Sequence, residues 1–333
     1  MKTSLALGSL GPLVTRFVPG GHRPELAGET TAQRVSRAVE GLEGYVDGYE
    51  FYYPESLNED NLDEVRIALG DHDIYVLAAA LHPEPHFARG GLTSPEPATR
   101  AAALRRTLAC IDLAGELGAN VIIWPGNEGY NYPFQIRYQE AWNLLIDALD
   151  EAAARCQRHG IDLWLEPKNS EPAMKVLLRN VSTALHMVGV LRERGHSNIK
   201  VNLDWQNVFM TGEGLAECAA LLERDGALGH MHASSGWGTL DDKTMVGSLK
   251  FIETLELAHY LRSSSYESSG GRLGLDLYPY TEDGIAAVRR SVEQWHALGQ
   301  IASRIDDAAL EEARAGHDAV RAHEIVYAAL TGD

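Results

Sequence analysis

Trp164-Leu-Glu166-Pro-Lys168, Val201-Asn-Leu-Asp204, Gly229-His-Met-His232 and Gly274-Leu-Asp276-Leu277 have the same form: a short apolar run that closes on a carboxylate or an imidazole. The apolar residues read as buried β-strand. A charge at the end of such a run is costly to bury unless something pairs with it. Three carboxylates and a histidine at four strand ends predict a divalent-cation site at the mouth of a parallel β-barrel.

The same strand signal recurs along the chain, near Ser4–Leu7, Tyr49–Tyr53, Ile74–Leu81, Asn120–Trp124, Asp162–Glu166, Ile199–Asp204, Leu228–His232 and Leu273–Leu277. Helical periodicity fills the gaps, over roughly Ala32–Glu43, Asn58–Leu69, Ala98–Leu117, Tyr138–Arg158, Val181–Glu193, Gly214–Glu223, Ser248–Tyr260 and Asp283–Ala297. Eight βα units without a break imply the α/β class, a closed (β/α)8 TIM barrel over residues 1–300 rather than an open doubly wound sheet. Gly8-Ser-Leu-Gly11, after the first strand, lacks the G-x-G-x-x-G spacing of a dinucleotide loop. Residues 301–333 read as one or two acidic helices. Their Ala309, Leu310, Val320, Ile325, Val326 and Leu330 would pack on the barrel or on a neighbouring subunit.

Composition narrows the function. A chain of 333 residues, 45% hydrophobic, suits one large α/β barrel. A net charge of −18 repels phosphate backbones, so no nucleic-acid partner is expected. No basic cluster marks a site for a phosphorylated substrate, which leaves neutral small molecules. Cys110, Cys156 and Cys218 are odd in number, without C-x-x-C spacing, and fall in helical segments. They read as reduced, buried thiols of a cytoplasmic protein. The N-terminal apolar run is too short for a secretory signal, and no stretch of about 18 apolar residues predicts a membrane span.

Glu166, Asp204, His232 and Asp276 end predicted strands five to eight. Neighbouring strands lie about 5 Å apart, so four consecutive ends can meet on one ion. Three oxygen donors and one imidazole suit Mn²⁺, Mg²⁺ or Co²⁺ better than structural zinc.

These segments resemble those of the xylose isomerase family and its wider sugar isomerase and epimerase superfamily. Glu166-Pro-Lys168-Asn-Ser-Glu171-Pro is similar to E-P-K-P-x-E-P, and Trp124-Pro-Gly-Asn-Glu128-Gly to W-G-G-R-E-G. Gly90-Gly-Leu-Thr-Ser94 is similar to G-G-F-T-S, and Leu275-Asp276-Leu-Tyr-Pro279 to F-D-x-K-P. The resemblance runs from about Tyr45 to Leu298 and implies a first metal held by Glu166, Asp204, His232 and Asp276. A histidine on strand seven is the rhamnose isomerase pattern. The resemblance places Lys168 on the lysine that hydrogen-bonds the sugar O1, making Lys168, Glu166 and Asp276 the implied catalytic set. It places Trp124 on the tryptophan that walls the sugar.

The departures fall around this core. The family's second-metal histidine is Asn207 here, and its two loop acids are Asp241 and Asp242, adjacent rather than alternating. Tyr52 and Glu55 stand where the ring-opening His–Asp pair is expected; a tyrosine is a poorer base near neutrality. His82 or His86 can supply an imidazole instead. Tyr52, His82, Trp205, Trp237 and Tyr278 are the expected shape-setting residues around the substrate.

The resemblance implies an intramolecular oxidoreductase, an aldose–ketose isomerase acting on a small unphosphorylated sugar by metal-assisted hydride shift, with Mn²⁺ as the first expectation. The alternatives are a single-metal ketose epimerase, a C-glycoside-cleaving lyase, or a non-catalytic sugar-binding barrel. It also implies a homodimer or homotetramer.

Overall fold

Every barrel strand is short, apolar and followed by a helix, and the eight close on one another in sequence order. The computed structural model describes residues 1–332. The strands are Thr3–Ala6, Gly48–Tyr53, Asp73–Ala79, Asn120–Ile123, Leu163–Leu165, Ile199–Asp204, Leu228–Ala233 and Leu273–Leu275. All pairings between them are parallel, and Thr3 beside Leu273 closes the ring.

The helices that follow are Thr31–Gly41, Leu62–Leu69, Pro97–Leu117, Tyr138–His159, Val181–Glu193, Leu215–Arg224, Phe251–Leu261 and Gly284–Ala302. Local chemistry sets their ends. Thr30, Asn180 and Asp283 accept hydrogen bonds from the third backbone N–H of their helices. Gly118 and Gly160 end helices at φ of 68° and 71°, the left-handed region that favours glycine.

The main core lies between strands and helices. Leu5, Val121, Leu163, Val201, Met231 and Leu275 contribute from the strands, each fully buried. A separate apolar plug of Val76, Ile122 and Trp164 fills part of the barrel's interior. Arg272 stacks over Tyr75 at 4.0 Å and is held by both carboxylate oxygens of Asp73.

Two features were not foreseen. A short helix, Trp205–Thr211, starts directly after the sixth strand, and Gly129–Tyr130 pairs antiparallel with Lys175–Val176. The C-terminal residues form two helices, Asp307–Ala315 and Ala319–Thr331. Ile305, Leu310, Ala313, Ile325 and Ala329 make a small core of their own, while Val326 and Leu330 pack on the main one. Val320, expected to pack, is 72% exposed because the second of these helices turns it away from both cores. All three cysteines are free and buried. No helix among the described residues is long and apolar enough to cross a membrane.

Candidate metal centre

Sheet register brings the four strand-end residues together. Asp204 lies beside His232, and His232 beside Gly274, which puts Asp276 two residues further along the eighth strand's path. His232 Nδ1 is 3.2 Å from Glu166 Oε2, 3.7 Å from Asp276 Oδ2 and 4.0 Å from Asp204 Oδ2. All four side chains are buried. Glu166, Asp204 and His232 each offer a ligand atom within 4.8 Å of the others.

Behind His232 lies a network that sequence reasoning missed. Glu50, in the second strand, accepts from His232 Nε2 at 2.9 Å and from His230 Nε2 at 3.0 Å, and Ser4 Oγ donates to it at 2.5 Å. Gly274 makes the room: a Cβ there would sit 2.5 Å from His230 Nε2 and 2.7 Å from Glu50 Oε1. With Nε2–H committed to Glu50, Nδ1 faces the cage. Asn202 Nδ2 donates to Glu166 Oε2 at 2.7 Å.

The charges reinforce one another. Burial would raise Glu50, yet the imidazoles of His230 and His232 hold it far below the usual carboxylate range. Burial would lower His232, yet Glu50 and Glu166, one at each ring nitrogen, hold it well above its ordinary value. Glu166 is pulled down to about 2: burial opposes this, and the His232 hydrogen bond and charge outweigh it. The available signal was an acid between Tyr49 and Phe51 in an otherwise apolar run.

The second missed residue is Lys243, on the loop after the seventh strand. Its Nζ donates to Asp204 Oδ2 at 2.6 Å and to Asp276 Oδ2, and the residue is 4% exposed. Burial disfavours the ammonium, but Asp204 and Asp276 more than offset it. The donor set of Glu166, Asp204 and His232 fits a small divalent cation, with Asp276 at its edge, 3.7 Å from His232 Nδ1. The Lys243 ammonium against two of those carboxylates shows that this cage accepts positive charge.

Lys168 is buried next to the cage. It donates to Asp241 Oδ2 at 2.7 Å, pairs with Glu171 at 3.3 Å and lies 4.9 Å over the Trp124 ring. Glu128 is engaged elsewhere. That carboxylate accepts from the backbone N–H of Gly91, Leu92 and Thr93 and from the Thr93 hydroxyl, and so ties the turn after strand three to the loop after strand four. Trp124, His82 and Tyr52 form a continuous aromatic wall, with ring centroids 4.6 Å and 5.8 Å apart. Burial, aided by Lys168, lowers His82 to about 4. Burial, aided by Asp276, raises Tyr52 well above its ordinary value.

The remaining expected residues are dispersed. Asp242 is fixed by Gln206 Nε2 at 2.6 Å and by the Trp237 N–H at 3.0 Å; Gly236 leaves space for this, since a Cβ would lie 2.0 Å from Asp242 Oδ1. Asp241 is engaged with Lys168, and Asn207 Nδ2 reaches only 3.5 Å from Glu166. Asp241 and Asp242 are thus each held by protein partners on the loop after the seventh strand. Trp237 is 70% exposed. Trp205, expected on the substrate side, is instead a core residue, fully buried and 5.5 Å from Trp295, because the short helix turns it inward. Trp124 Nε1, Asn207 Oδ1 and Asp241 Oδ1 are buried and unpartnered. A cavity of about 650 Å³, lined by Thr15, His22, Glu171, Asp241, Tyr278 and Tyr280 among others, leads to this region.

A profile of the xylose isomerase-like TIM barrel family matches residues 34–260. The chain is 28% identical over 219 residues to the xylose isomerase of Thermus thermophilus, covering 65% of this chain and 56% of that protein. It is 28% identical over 214 residues to the xylose isomerase of Thermus caldophilus, covering 63% and 55%. It thus spans little more than half the length of these relatives. Among solved structures, an L-ribulose 3-epimerase superposes with a TM-score of 0.67 at 16% identity, over 91% of this chain and 95% of that one. D-psicose 3-epimerase from Clostridium cellulolyticum H10, solved with D-tagatose, gives 0.61 at 16% identity, over 91% and 97%. These structural likenesses are likenesses of fold.

Proposed function

Because the chain belongs to the xylose isomerase-like TIM-barrel family, we propose that it is a sugar isomerase, an aldose–ketose isomerase for a small unphosphorylated sugar bound at the barrel mouth. The observation that carries this reading is the buried cage of Glu166, Asp204, His232 and Asp276, with Lys168 and an aromatic wall beside it. These four residues would hold one divalent ion, Mn²⁺ by donor type. Bound there, the ion supplies Lewis acidity to vicinal sugar oxygens.

The chain's own groups do the rest. Glu50 fixes the His232 ring so that Nδ1 serves the cage. Lys168, oriented by Asp241, donates toward the sugar O1 and stabilises negative charge developing there. Trp124, His82 and Tyr52 cover an apolar sugar face and exclude water. With its pKa at about 4, His82 is neutral at physiological pH and acts as a hydrogen-bonding group, not as a charge. The unpartnered Trp124 Nε1 and Asn207 Oδ1 are a donor and an acceptor suited to sugar hydroxyls. The acidic surface and reduced thiols support a cytoplasmic setting, and a homodimer or homotetramer is the assembly we expect.

The test is turnover of a panel of aldoses and ketoses by Mn²⁺-loaded protein in D₂O. An aldose–ketose product free of solvent deuterium is expected; a C3- or C4-epimerised product carrying deuterium would replace this reading with a ketose epimerase. Glu166→Ala is expected to lose both Mn²⁺ binding and turnover, and an active, metal-free Glu166→Ala protein would overturn the role of the cage.

A further inference from the structure

Lys243 is the cationic side chain that reaches into the cage. Its ammonium holds the Oδ2 atoms of Asp204 and Asp276, the same oxygens that lie 4.0 Å and 3.7 Å from His232 Nδ1. An ion drawing on His232, Asp204 and Asp276 would need those oxygens. It would also meet a like charge at contact distance in a buried site, where screening is weak. The lysine and the ion therefore exclude one another.

The backbone carries a second sign that the lysine is placed. Lys243 has φ of 37°, in the left-handed region that few non-glycine residues occupy. It is clamped there on both sides. Its carbonyl accepts from Tyr278 N–H at 2.8 Å, and Thr244, the next residue, makes two backbone hydrogen bonds with Ser235 at 2.7 Å and 2.9 Å. Asp242, the residue before, is held by Gln206 and by the Trp237 N–H. Asp241, one further back, binds Lys168. Asp241-Asp242-Lys243 thus links the cage to the lysine that would serve the sugar.

Resting on the reading of this cage as an ion site, we propose that Lys243 is a tethered cation that fills the ion's position in the metal-free chain, so that a divalent ion enters only as the Lys243 ammonium leaves. The lysine sets how tightly the barrel loads. A chain with this lysine holds its ion weakly and exchanges it readily, and the empty site stays closed by its own side chain.

The experiment is Mn²⁺ binding to the purified full chain by calorimetry, comparing wild type with Lys243→Met, which keeps the aliphatic stem and removes the charge, and with Lys243→Arg. Lys243→Met is expected to bind Mn²⁺ about tenfold or more tightly than wild type, because the competing occupant is gone, and Lys243→Arg to stay weak. Wild type that does not load at all beside a loading Lys243→Met protein supports the proposal in its strongest form. Equal affinity of wild type and Lys243→Met overturns the role of Lys243 and leaves the ion site standing. No Mn²⁺ bound by either protein overturns the ion site, and the proposal with it. A second measurement needs no variant: acetylation of wild-type lysines read by mass spectrometry. Lys243 is expected to be protected without Mn²⁺ and reactive at saturation. Unchanged protection in the loaded protein counts against displacement.

Discussion

His82 shows how one residue's surroundings become a measurable pH dependence. Its folded pKa lies near 4, against an ordinary value of 6.5, because burial and the Lys168 charge oppose its protonation. Between those two values the unfolded chain takes up a proton that the folded chain refuses. Stability must therefore fall as pH drops through this window, by up to about 3 kcal/mol from this group, and be unaffected by it above the ordinary value. Urea unfolding near neutrality and near pH 4 measures it: wild type should lose about 3 kcal/mol more than His82→Phe, and parallel losses would remove His82 from the acid response. At this scale the sequence was readable in part. Glu166, Asp204, His232 and Asp276 stood out because each breaks an apolar run at its end. Glu50 breaks one in the middle, where an acid reads as a solvent-facing position, and its imidazole partners are 180 and 182 residues away. Lys243 follows two acids in a loop and reads as a solvated charge.

At the scale of elements, all eight strands and eight helices were legible, because burial on one side imposes their periods. Most bounds fall within two residues, while the starts of Leu62–Leu69 and Phe251–Leu261 and the end of Gly284–Ala302 differ by three to five. The short helix Trp205–Thr211 was not legible, since seven residues rich in large apolar and amide groups show no stripe. It forms because Asp204 accepts the Asn207 N–H at 3.0 Å, so one carboxylate both starts this helix and faces the cage. The two roles separate by substitution. Asp204→Asn and Asp204→Ala both break the buried ion pair with Lys243 and should weaken Mn²⁺ binding, but Asp204→Asn keeps a capping oxygen. Asp204→Ala should lose the cap as well and cost about 1 kcal/mol more in thermal or denaturant unfolding. Equal stability of the two variants would show that the cap contributes nothing. The small Gly129–Tyr130 and Lys175–Val176 pairing was equally hidden, since two-residue strands carry no period and depend on contacts made across the chain.

The whole molecule places all of this in one ring. The chain carries a net charge of −18, and at the barrel mouth Lys168 and Lys243 are both buried and both paired with carboxylates. The final pair of helices adds a small core beside the last barrel helix and contributes no residue to the cage. Closure itself has a further consequence. The acid that orients His232 comes from the second strand, whereas every cage residue lies in or just past the fifth to eighth. A chain severed at Gly118, in the turn between a barrel helix and its next strand, would part Glu50 from all of them. Neither fragment alone should bind Mn²⁺ as the intact chain does, and mixing the two should restore binding as the circle of strands is rejoined. Ion affinity would then serve as a complementation reporter, a chemical gauge of whether the two pieces have found each other.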